Sequence, residues 1–414
     1  MIASHLFRNT LQVPTQTYTT LNVFSRTSAG YFIREDRLLT YMLTYNPVTK
    51  RMGRLVAPGR TVARILGCHR LYERWIVKTL IGVFLAMFGG IMAGNCMVPL
   101  KYMRRWRWEN VWIVFSLVAL ILVPWAIALL RLPNLFSIYA SAKISNFMMP
   151  FLYGTGWGVA QVLFGLAVIR IGMALSFAIT IGLSAALGSL VPILLRHPEF
   201  LISGRGPVLL LGIFLMIAGV VACSWAGRRR EREQQDQTSP GANIGRGIYS
   251  GGLLLAAAAG LLAPMLNYAL SFGDNILFEA IHQHTAPADA PYAVWPIALA
   301  GGALPNFIYA IWLIRRNGSW NNFFPMWPEI LLGTVMGVLW MGSVAAYGTA
   351  TTLLGILGTS IGWSIYQICV ILTANLSGWV AGEWKRVSQP SKVALWSGLS
   401  LLAAATLAIT YGNH

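Results

Sequence analysis

The sequence predicts an all-α integral membrane protein whose ten transmembrane helices form two inverted repeats of five helices each. Of the 414 residues, 56% are hydrophobic and only 11% are charged, and the mean hydropathy is +0.61. Soluble domains carry about 25% charged residues. Ten apolar runs follow one another, and two short motifs recur almost half a chain apart. These observations indicate a polytopic membrane protein.

Composition also disfavours several classes of function. The net charge of +18 is the excess of 31 lysines and arginines over 13 acidic residues, but most of these cations lie in short loops between apolar runs. That distribution is typical of membrane topology rather than of a nucleic-acid groove. The four cysteines (Cys68, Cys96, Cys223, Cys369) have no CxxC or other ligand spacing, so neither a disulfide framework nor a metal site is predicted. No nucleotide loop or catalytic triad is present, and we expect neither an enzyme nor a cofactor.

Residues 1–76 form a basic segment that differs from the rest of the chain. They contain 11 lysines and arginines, only three acidic residues and no run of membrane length. No charged n-region, apolar h-region and cleavage site follow one another here, which disfavours a secretory signal. An organelle transit peptide and an unused extension both remain open, with translation beginning near Val77 in the second case. We expect a disordered or untranslated extension.

Ten apolar segments follow, most of them near the roughly 20 residues needed to cross the hydrocarbon core. The predicted spans are Val77–Leu100, Val111–Leu130, Phe147–Ile169, Ile171–Leu195, Pro207–Ala226, Ile248–Ser271, Val294–Ile314, Ile330–Tyr347, Thr351–Val380 and Val393–Tyr411. The ninth is long enough to predict a tilt or an extension beyond the bilayer. The polar stretch at 228–246 is predicted to be a linker between a first repeat at 77–227 and a second at 247–414.

The two halves carry matching motifs. GTGWGV at 154–159 recurs as GTVMGV at 333–338, and IGLS at 181–184 recurs as IGWS at 361–364. The offsets are 179 and 180 residues, so the two matches support each other. Because each half has an odd number of spans, the second half is predicted to lie inverted relative to the first. Many secondary transporters have this architecture, with substrate bound near the membrane midplane.

The distribution of cations predicts the orientation of the ten spans. The loops that follow spans 1, 3, 5, 7 and 9 carry 15 lysines and arginines, whereas the loops of the other set carry four. The positive-inside rule therefore places the first set, including the linker, in the cytoplasm and His414 outside.

Several motifs resemble the L-rhamnose–proton symporter family. They are KYMRRWRWENVW at 101–112, PWAIALLRLPN at 124–134 and GWGVAQVLFGLAVIRIGMALSFAITIG at 156–182. Asn267, Trp363 and the pair Glu383–Trp384 add thinner matches in the second half. The resemblance covers about residues 77–412. It implies ten spans in two five-span repeats, membership of the drug/metabolite transporter superfamily and proton-coupled sugar uptake.

Four positions depart from the pattern of that family, with Ala160 in place of its glycine as the smallest change. Its W-G-x-G-N segment reads Trp157–Gly158–Val159–Ala160–Gln161, so a longer amide replaces asparagine. Its Y-G pair reads Phe164–Gly165, which lacks a hydroxyl, and a histidine of its ninth span falls at Tyr366. Because sugar recognition depends on directional donors and acceptors, these changes bear on which sugar is bound and on proton coupling.

Polar and aromatic residues at depth within the spans are the candidate substrate-binding residues. Gln161 offers a donor and an acceptor for a vicinal diol, or an interhelical hydrogen bond. Other candidates are Trp157, Ser184, Trp363, Ser364, Gln367, Asn95 and Asn267. Tryptophan rings, including Trp340, suit the apolar face of a sugar, whereas small hydroxyls also favour close packing. The two asparagines flank prolines (Pro99 and Pro264) and would alternatively satisfy backbone groups freed by a kink.

No carboxylate lies at the centre of any predicted span, so the sequence does not identify a proton carrier. Glu109 and Glu383 match the family pattern and are the candidates for proton coupling. Both lie at span ends, where Glu109 would alternatively pair with Arg105 and Glu383 with Lys385.

The function that this sequence favours is a secondary active transporter for proton-coupled uptake of a monosaccharide such as L-rhamnose, in the inner membrane. Its expected partners are the sugar, protons and the lipid bilayer, with a homo-oligomer left open. One alternative is an exporter or permease for another small polar metabolite of the same superfamily. The other is a non-transporting membrane scaffold.

Overall fold

The computed structural model describes residues 24–27, 30–33, 58–238, 246–323, 327–382, 384–385 and 387–412. The chain divides into two units, Met1–Tyr72 and Glu73–His414. In the first unit, strands Phe24–Thr27 and Gly30–Ile33 pair antiparallel. Most of this unit lies outside the described residues, so the expected disordered or untranslated extension stays a prediction.

The second unit is helical, and ten of its segments are long and apolar enough to cross a membrane. We number these spans 1 to 10: Ile76–Leu100, Trp108–Arg131, Ile144–Ile171, Leu175–Arg196, Gly206–Glu233, Tyr249–His282, Trp295–Asn317, Trp327–Leu353, Gly358–Val380 and Gln389–Gly412. The predicted all-α membrane fold with ten spans is thereby confirmed.

The helices that build these spans are partly interrupted. Their bounds are Pro58–Asn95, Trp108–Leu117, Val123–Arg131, Ile144–Ile171, Met173–Arg196, Gly206–Thr238, Arg246–Leu262, Met265–Ser271, Asp274–His282, Trp295–Asn317, Trp327–Leu353, Gly358–Val380 and Gln389–Gly412. Short helices Leu135–Ser141 and Glu199–Ile202, and 3-10 turns Val98–Tyr102, Ala290–Ala293 and Ser319–Phe323, lie in the connections. Within span 2, a π-helical turn at Val118–Leu122 precedes Pro124. A wide turn at this place fits a proline, which donates no backbone hydrogen bond.

The structure corrects the ninth predicted span. Its N-terminal boundary at Thr351 is wrong, because span 8 continues to Leu353 and span 9 begins at Gly358. Between them Gly355 has φ +80°, a conformation that glycine adopts without steric cost. Span 9 is therefore an ordinary 23-residue helix. In the first part of the predicted linker the span 5 helix continues to Thr238; the linker itself stays a prediction.

Two glycines allow close contacts between helices of different halves, and these two contacts are reciprocal. In span 3, a Cβ atom at Gly158 would lie 2.3 Å from the carbonyl oxygen of Gly302 in span 7. In span 8, a Cβ atom at Gly337 would lie 2.8 Å from the Cβ of Val118 in span 2. Small residues allow such approach in lipid. The third span of each half thus packs against the second span of the other, which an inverted repeat would produce; the repeat itself stays a prediction.

Contacts between loops join connections that were predicted to lie at the same end of the bundle. At the basic end, the Trp106 indole donates to the backbone oxygen of Asn322 at 3.0 Å, joining the connections after spans 1 and 7. At the opposite end, Arg131 and Asp289 form an ion pair at 2.6 Å, which joins the end of span 2 to the connection after span 6. Both contacts agree with the partition of loops from which the orientation was predicted.

Candidate functional site

Five of the eight candidate binding residues meet in one buried group between spans 4, 6 and 9. We call this group the central polar cluster; it consists of Ser184, Asn267, Trp363, Ser364 and Gln367, each at most 7% exposed. The structure thus brings together residues that lie up to 183 positions apart in the sequence.

Span 4 supplies the acceptor around which the central polar cluster is built. Pro192 lies inside its helix, and since proline has no backbone N–H, the carbonyl of Gly188 four residues earlier loses its usual donor. The side chain of Asn267 donates to that carbonyl at 2.8 Å. One of the two roles that the sequence left open for Asn267 was to satisfy backbone groups near Pro264. The carbonyl that it satisfies lies instead one turn before Pro192.

Span 9 binds the same stretch of span 4. The indole N–H of Trp363 donates to the backbone oxygen of Ser184 at 3.0 Å, and the hydroxyls of Ser189 and Ser364 lie 2.5 Å apart. The Gln367 amide approaches the Ser184 hydroxyl at 3.5 Å. These five side chains (Ser184, Ser189, Trp363, Ser364 and Gln367) have partners within the protein, which accounts for their burial without a solute.

Two tyrosines complete the cluster, and the sequence reasoning missed the role of both. The buried hydroxyl of Tyr347 bonds to the side-chain oxygen of Asn267. Tyr366, where the related family carries histidine, lies with its hydroxyl 3.1 Å from that of Ser343 and stacks on Trp363 at 5.9 Å between ring centroids. Tyr347 stood at the end of a predicted span, where tyrosine is typical of the membrane interface.

A stack of aromatic rings lies beside the cluster, between spans 2, 3 and 8. Trp157 stacks on Trp340 with ring centroids 5.2 Å apart and planes 26° apart. Trp340 and Phe115 pack in a T-shaped arrangement with ring centroids 6.1 Å apart, and the rings of Phe115 and Trp112 lie 5.1 Å apart. Trp157 is buried, whereas the ring of Trp340 is half-buried. Trp340 therefore remains partly accessible.

Gln161 lies one helical turn after Trp157, on the same side of span 3. It is half-buried, and no hydrogen bond to its side chain is found within the described part of the chain. The amides of Asn267 and Gln367, by contrast, bind protein groups. Of the candidate amides, Gln161 is thus the one without a hydrogen-bond partner among the described residues.

Asn95 does not join the central polar cluster. It ends the helix of span 1, where its amide donates to Ile91 in its own helix at 3.0 Å. Its side-chain oxygen accepts from the hydroxyl of Ser377 in span 9 at 2.5 Å. Asn95 therefore connects spans 1 and 9 near the basic end of the bundle.

One of the two proton-coupling candidates, Glu109, lies at that basic end. Glu109 is 4% exposed and accepts hydrogen bonds of 2.9 Å from the amide of Asn317 and from the hydroxyl of Ser319. Two neutral donors thus hold its carboxylate at the start of span 2. Glu383 lies outside the described residues.

Comparison with known proteins identifies what this arrangement is similar to. Residues 77–412 match the family described as L-rhamnose-proton symport protein. The curated L-rhamnose-proton symporter of Escherichia coli is 25% identical over 341 residues, which cover 80% of this chain and 97% of that protein. The symporters of Salmonella dublin and Shigella dysenteriae serotype 1 have the same identity and coverage. The matched region begins where the first apolar run opens and includes all ten spans.

Proposed function

The chain belongs to the L-rhamnose-proton symport family, and on that premise we propose that it is a secondary active transporter that takes up a monosaccharide such as L-rhamnose together with protons. The resemblance inferred from the motifs is confirmed by this membership. The protein is a multi-pass membrane protein of the inner membrane, and a transporter rather than an enzyme. The observation that carries the proposal is the family match over the whole ten-span body.

The proposed sugar site lies beside the stack of Trp157 on Trp340. The accessible surface of Trp340 offers an apolar face for the C–H groups of a sugar ring. Gln161 supplies an amide donor and an acceptor one turn from Trp157, which suits two adjacent hydroxyls. A polar group at such depth is costly unless it meets a partner, and a bound sugar would provide one.

The remaining candidates support this site indirectly. Asn267, Ser184 and Ser364 have protein partners, so we propose that they hold spans 4, 6 and 9 together rather than contact the sugar. In transporters of this kind, substrate sites lie near the midplane between packed repeats. The central polar cluster would then fix one wall of that site.

Uptake into liposomes that contain the purified chain tests the proposal. With an inwardly directed proton gradient, labelled L-rhamnose should accumulate above its external concentration, and a protonophore should abolish the accumulation. Empty liposomes under the same gradient give the background. Uptake no greater than this background, for L-rhamnose and for a panel of other monosaccharides, would reject sugar symport.

The position of Tyr366 motivates a second candidate substrate class. A histidine of the related family is replaced there by a tyrosine whose hydroxyl binds Ser343, which removes a group that titrates near neutral pH. Another small polar metabolite would then be the substrate. Competition of amino acids and organic cations against labelled substrate in the same liposomes distinguishes the two: inhibition by these compounds and not by sugars would favour the alternative.

A further inference from the structure

A crevice of about 200 Å³ opens between spans 4, 5 and 9 at the basic end of the bundle. It lies apart from the residues of the proposed sugar site. Its wall combines two kinds of side chain. Ser224, Arg230, Glu231, Asn375 and Trp384 are polar, whereas Met173, Phe177, Ile181, Val220 and Ile371 are apolar.

The charged residues of the crevice and part of its apolar lining lie at different depths in the bundle. Glu231 lies two residues before the end of span 5, at the level of the helix end. Val220 lies eleven residues earlier in the same helix, which places it about 16 Å deeper at 1.5 Å per residue. The charged side chains Arg230 and Glu231 therefore lie at the level of lipid headgroups, whereas Val220 lies at the level of the acyl chains.

Trp384 provides a second, independent indication of a ligand. Its side chain is 2% exposed and lines the crevice, yet its indole N–H has no hydrogen-bond partner within the described part of the chain. A buried donor without an acceptor costs about 1–3 kcal/mol. The guanidinium carbon of Arg230 lies 5.0 Å from the centroid of the same ring. An indole donor and a guanidinium thus adjoin one polar space.

These donors determine the chemistry that fits. Guanidinium groups match the oxygens of a phosphate in a planar, two-point geometry, and the indole N–H adds a third donor. Glu231 also lines the crevice, and its Oε2 would lie only 2.7 Å from a Cβ atom at Gly172, which has φ +83° at the junction of spans 3 and 4. A carboxylate beside a phosphate site disfavours a purely anionic ligand and suits one that also carries an ammonium group.

We propose that this crevice binds the headgroup of a membrane phospholipid that carries both a phosphate and an ammonium, as phosphatidylethanolamine does. Arg230 and the Trp384 indole bind the phosphate, and Glu231 attracts the ammonium. The acyl chains leave along the apolar wall formed by Phe177, Val220 and Ile371. The proposal is independent of which solute the protein transports.

The test uses the purified full chain in a polyoxyethylene ether detergent, which carries neither sugar nor phosphate, in a phosphate-free buffer. Thermal unfolding is followed during titration with phosphatidylethanolamine. A ligand that binds the folded state raises the melting temperature by mass action, so a saturable rise is expected. Diacylglycerol with the same chains, phosphatidylglycerol, inorganic phosphate and L-rhamnose are titrated separately.

Matched variants assign the effect to the crevice. Trp384→Phe retains a ring but removes the N–H, and should raise the lipid concentration for the half-maximal shift roughly tenfold or more. Trp225→Phe changes an exposed tryptophan of span 5 that does not line the crevice, and should leave that concentration unchanged. Arg230→Gln should likewise raise the lipid concentration for the half-maximal shift. Arg232→Gln removes the same charge from an exposed position and should leave that concentration unchanged. Glu231→Gln should weaken the preference for phosphatidylethanolamine over phosphatidylglycerol.

Several results would overturn the proposal. An equal shift with diacylglycerol would show that the acyl chains alone bind, and an equal shift with inorganic phosphate would assign the site to a free anion. Stronger binding of phosphatidylglycerol than of phosphatidylethanolamine would reject the proposed role of Glu231 in attracting the ammonium. Competition between L-rhamnose and the lipid would assign the crevice to the transport pathway. If Trp384→Phe does not fold, the pair Arg230→Gln and Arg232→Gln decides the question by itself.

Discussion

The side-chain amide of Asn267 donates to the backbone oxygen of Gly188 at 2.8 Å, four residues before Pro192. A proline in a transmembrane helix leaves one carbonyl without its donor, and in lipid no water replaces it. Pro192 in span 4 and Asn267 in span 6 therefore form one structural unit. A residue first considered for solute binding thus has a defined structural role.

The first prediction tests this unit by substitution at both positions. Asn267→Ala should lower the stability of the purified protein by about 1–3 kcal/mol, because it leaves the Gly188 carbonyl unsatisfied. In a Pro192→Ala background residue 192 supplies a backbone N–H, so the same substitution should cost less. Thermal unfolding of the wild type, both single variants and the double variant gives the coupling energy.

A second hydrogen bond of Asn267 and a control variant bear on the coupling between Asn267→Ala and Pro192→Ala. Asn267 also accepts from Tyr347, so only part of the loss should be recovered in the double variant. Asn275→Ala, at an exposed amide that bonds to Asn146, should change stability little. Equal costs of Asn267→Ala in the two backgrounds would mean that the Gly188 bond does not depend on the proline.

The second prediction concerns close packing of spans 3 and 7. A Cβ atom at Gly158 would lie 2.3 Å from the carbonyl oxygen of Gly302 and 2.6 Å from a ring carbon of Pro305. Gly158→Ala should therefore force the helices apart and cost about 1–3 kcal/mol. Gly165→Ala is the matched control in the same helix, because a Cβ atom at Gly165 would meet nothing within 4 Å. Thermal unfolding should show a clear loss for the first variant and none for the second.

Much of the fold follows from the sequence because hydropathy reports helix length directly. All ten spans were predicted, and nine begin within four residues of their observed start. The exception is span 9, because the connection at 354–357 carries no charge or proline and reads as apolar helix. The break there depends on the positive φ of Gly355, a backbone property that hydropathy does not report.

The candidate site was predictable in its residue types but not in its partners. Polar groups at depth are few, so Asn267, Ser184 and Gln367 could be selected from the sequence. Their hydrogen-bond partners depend on how the spans pack, because the bonded residues lie 79 or more positions apart in the sequence. The bond from Asn267 to Gly188 is one example. The roles of Tyr347 and Pro192 arise from that packing, so no local pattern indicated them.

The third prediction tests Glu109 as a proton-coupling residue. Glu109→Gln removes the titratable group but keeps a side-chain oxygen that accepts from Asn317 and Ser319. If Glu109 carries the proton, accumulation driven by a proton gradient should fall tenfold or more, while exchange of labelled for unlabelled sugar without a gradient persists. Glu199→Gln, at an exposed residue beyond span 4, should leave both measurements unchanged. Parallel loss of gradient-driven uptake and exchange would give Glu109 a structural role.

The fourth prediction concerns Gln161, the half-buried amide beside the stack of Trp157 on Trp340. If it binds the sugar, Gln161→Leu should raise the apparent KM for uptake tenfold or more, because a neutral hydrogen bond contributes about 0.5–1.5 kcal/mol and an unsatisfied partner costs about 1–3. The melting temperature of the sugar-free protein should change little, since the described residues offer Gln161 no partner to lose. Initial uptake rates over a range of sugar concentrations measure the first effect, and thermal unfolding measures the second.

Two further variants separate binding from packing at this position. Thr334→Val removes a hydroxyl that donates only to Ile330 in its own helix, so it controls for the loss of a polar group within a span and should leave KM unchanged. Gln161→Asn restores the amide of the related family with a shorter reach and should shift sugar preference toward L-rhamnose. A Gln161→Leu protein with unchanged KM and a lower melting temperature would place the amide in a contact between helices. In that case the accessible face of Trp340 would be the remaining basis for the proposed sugar site.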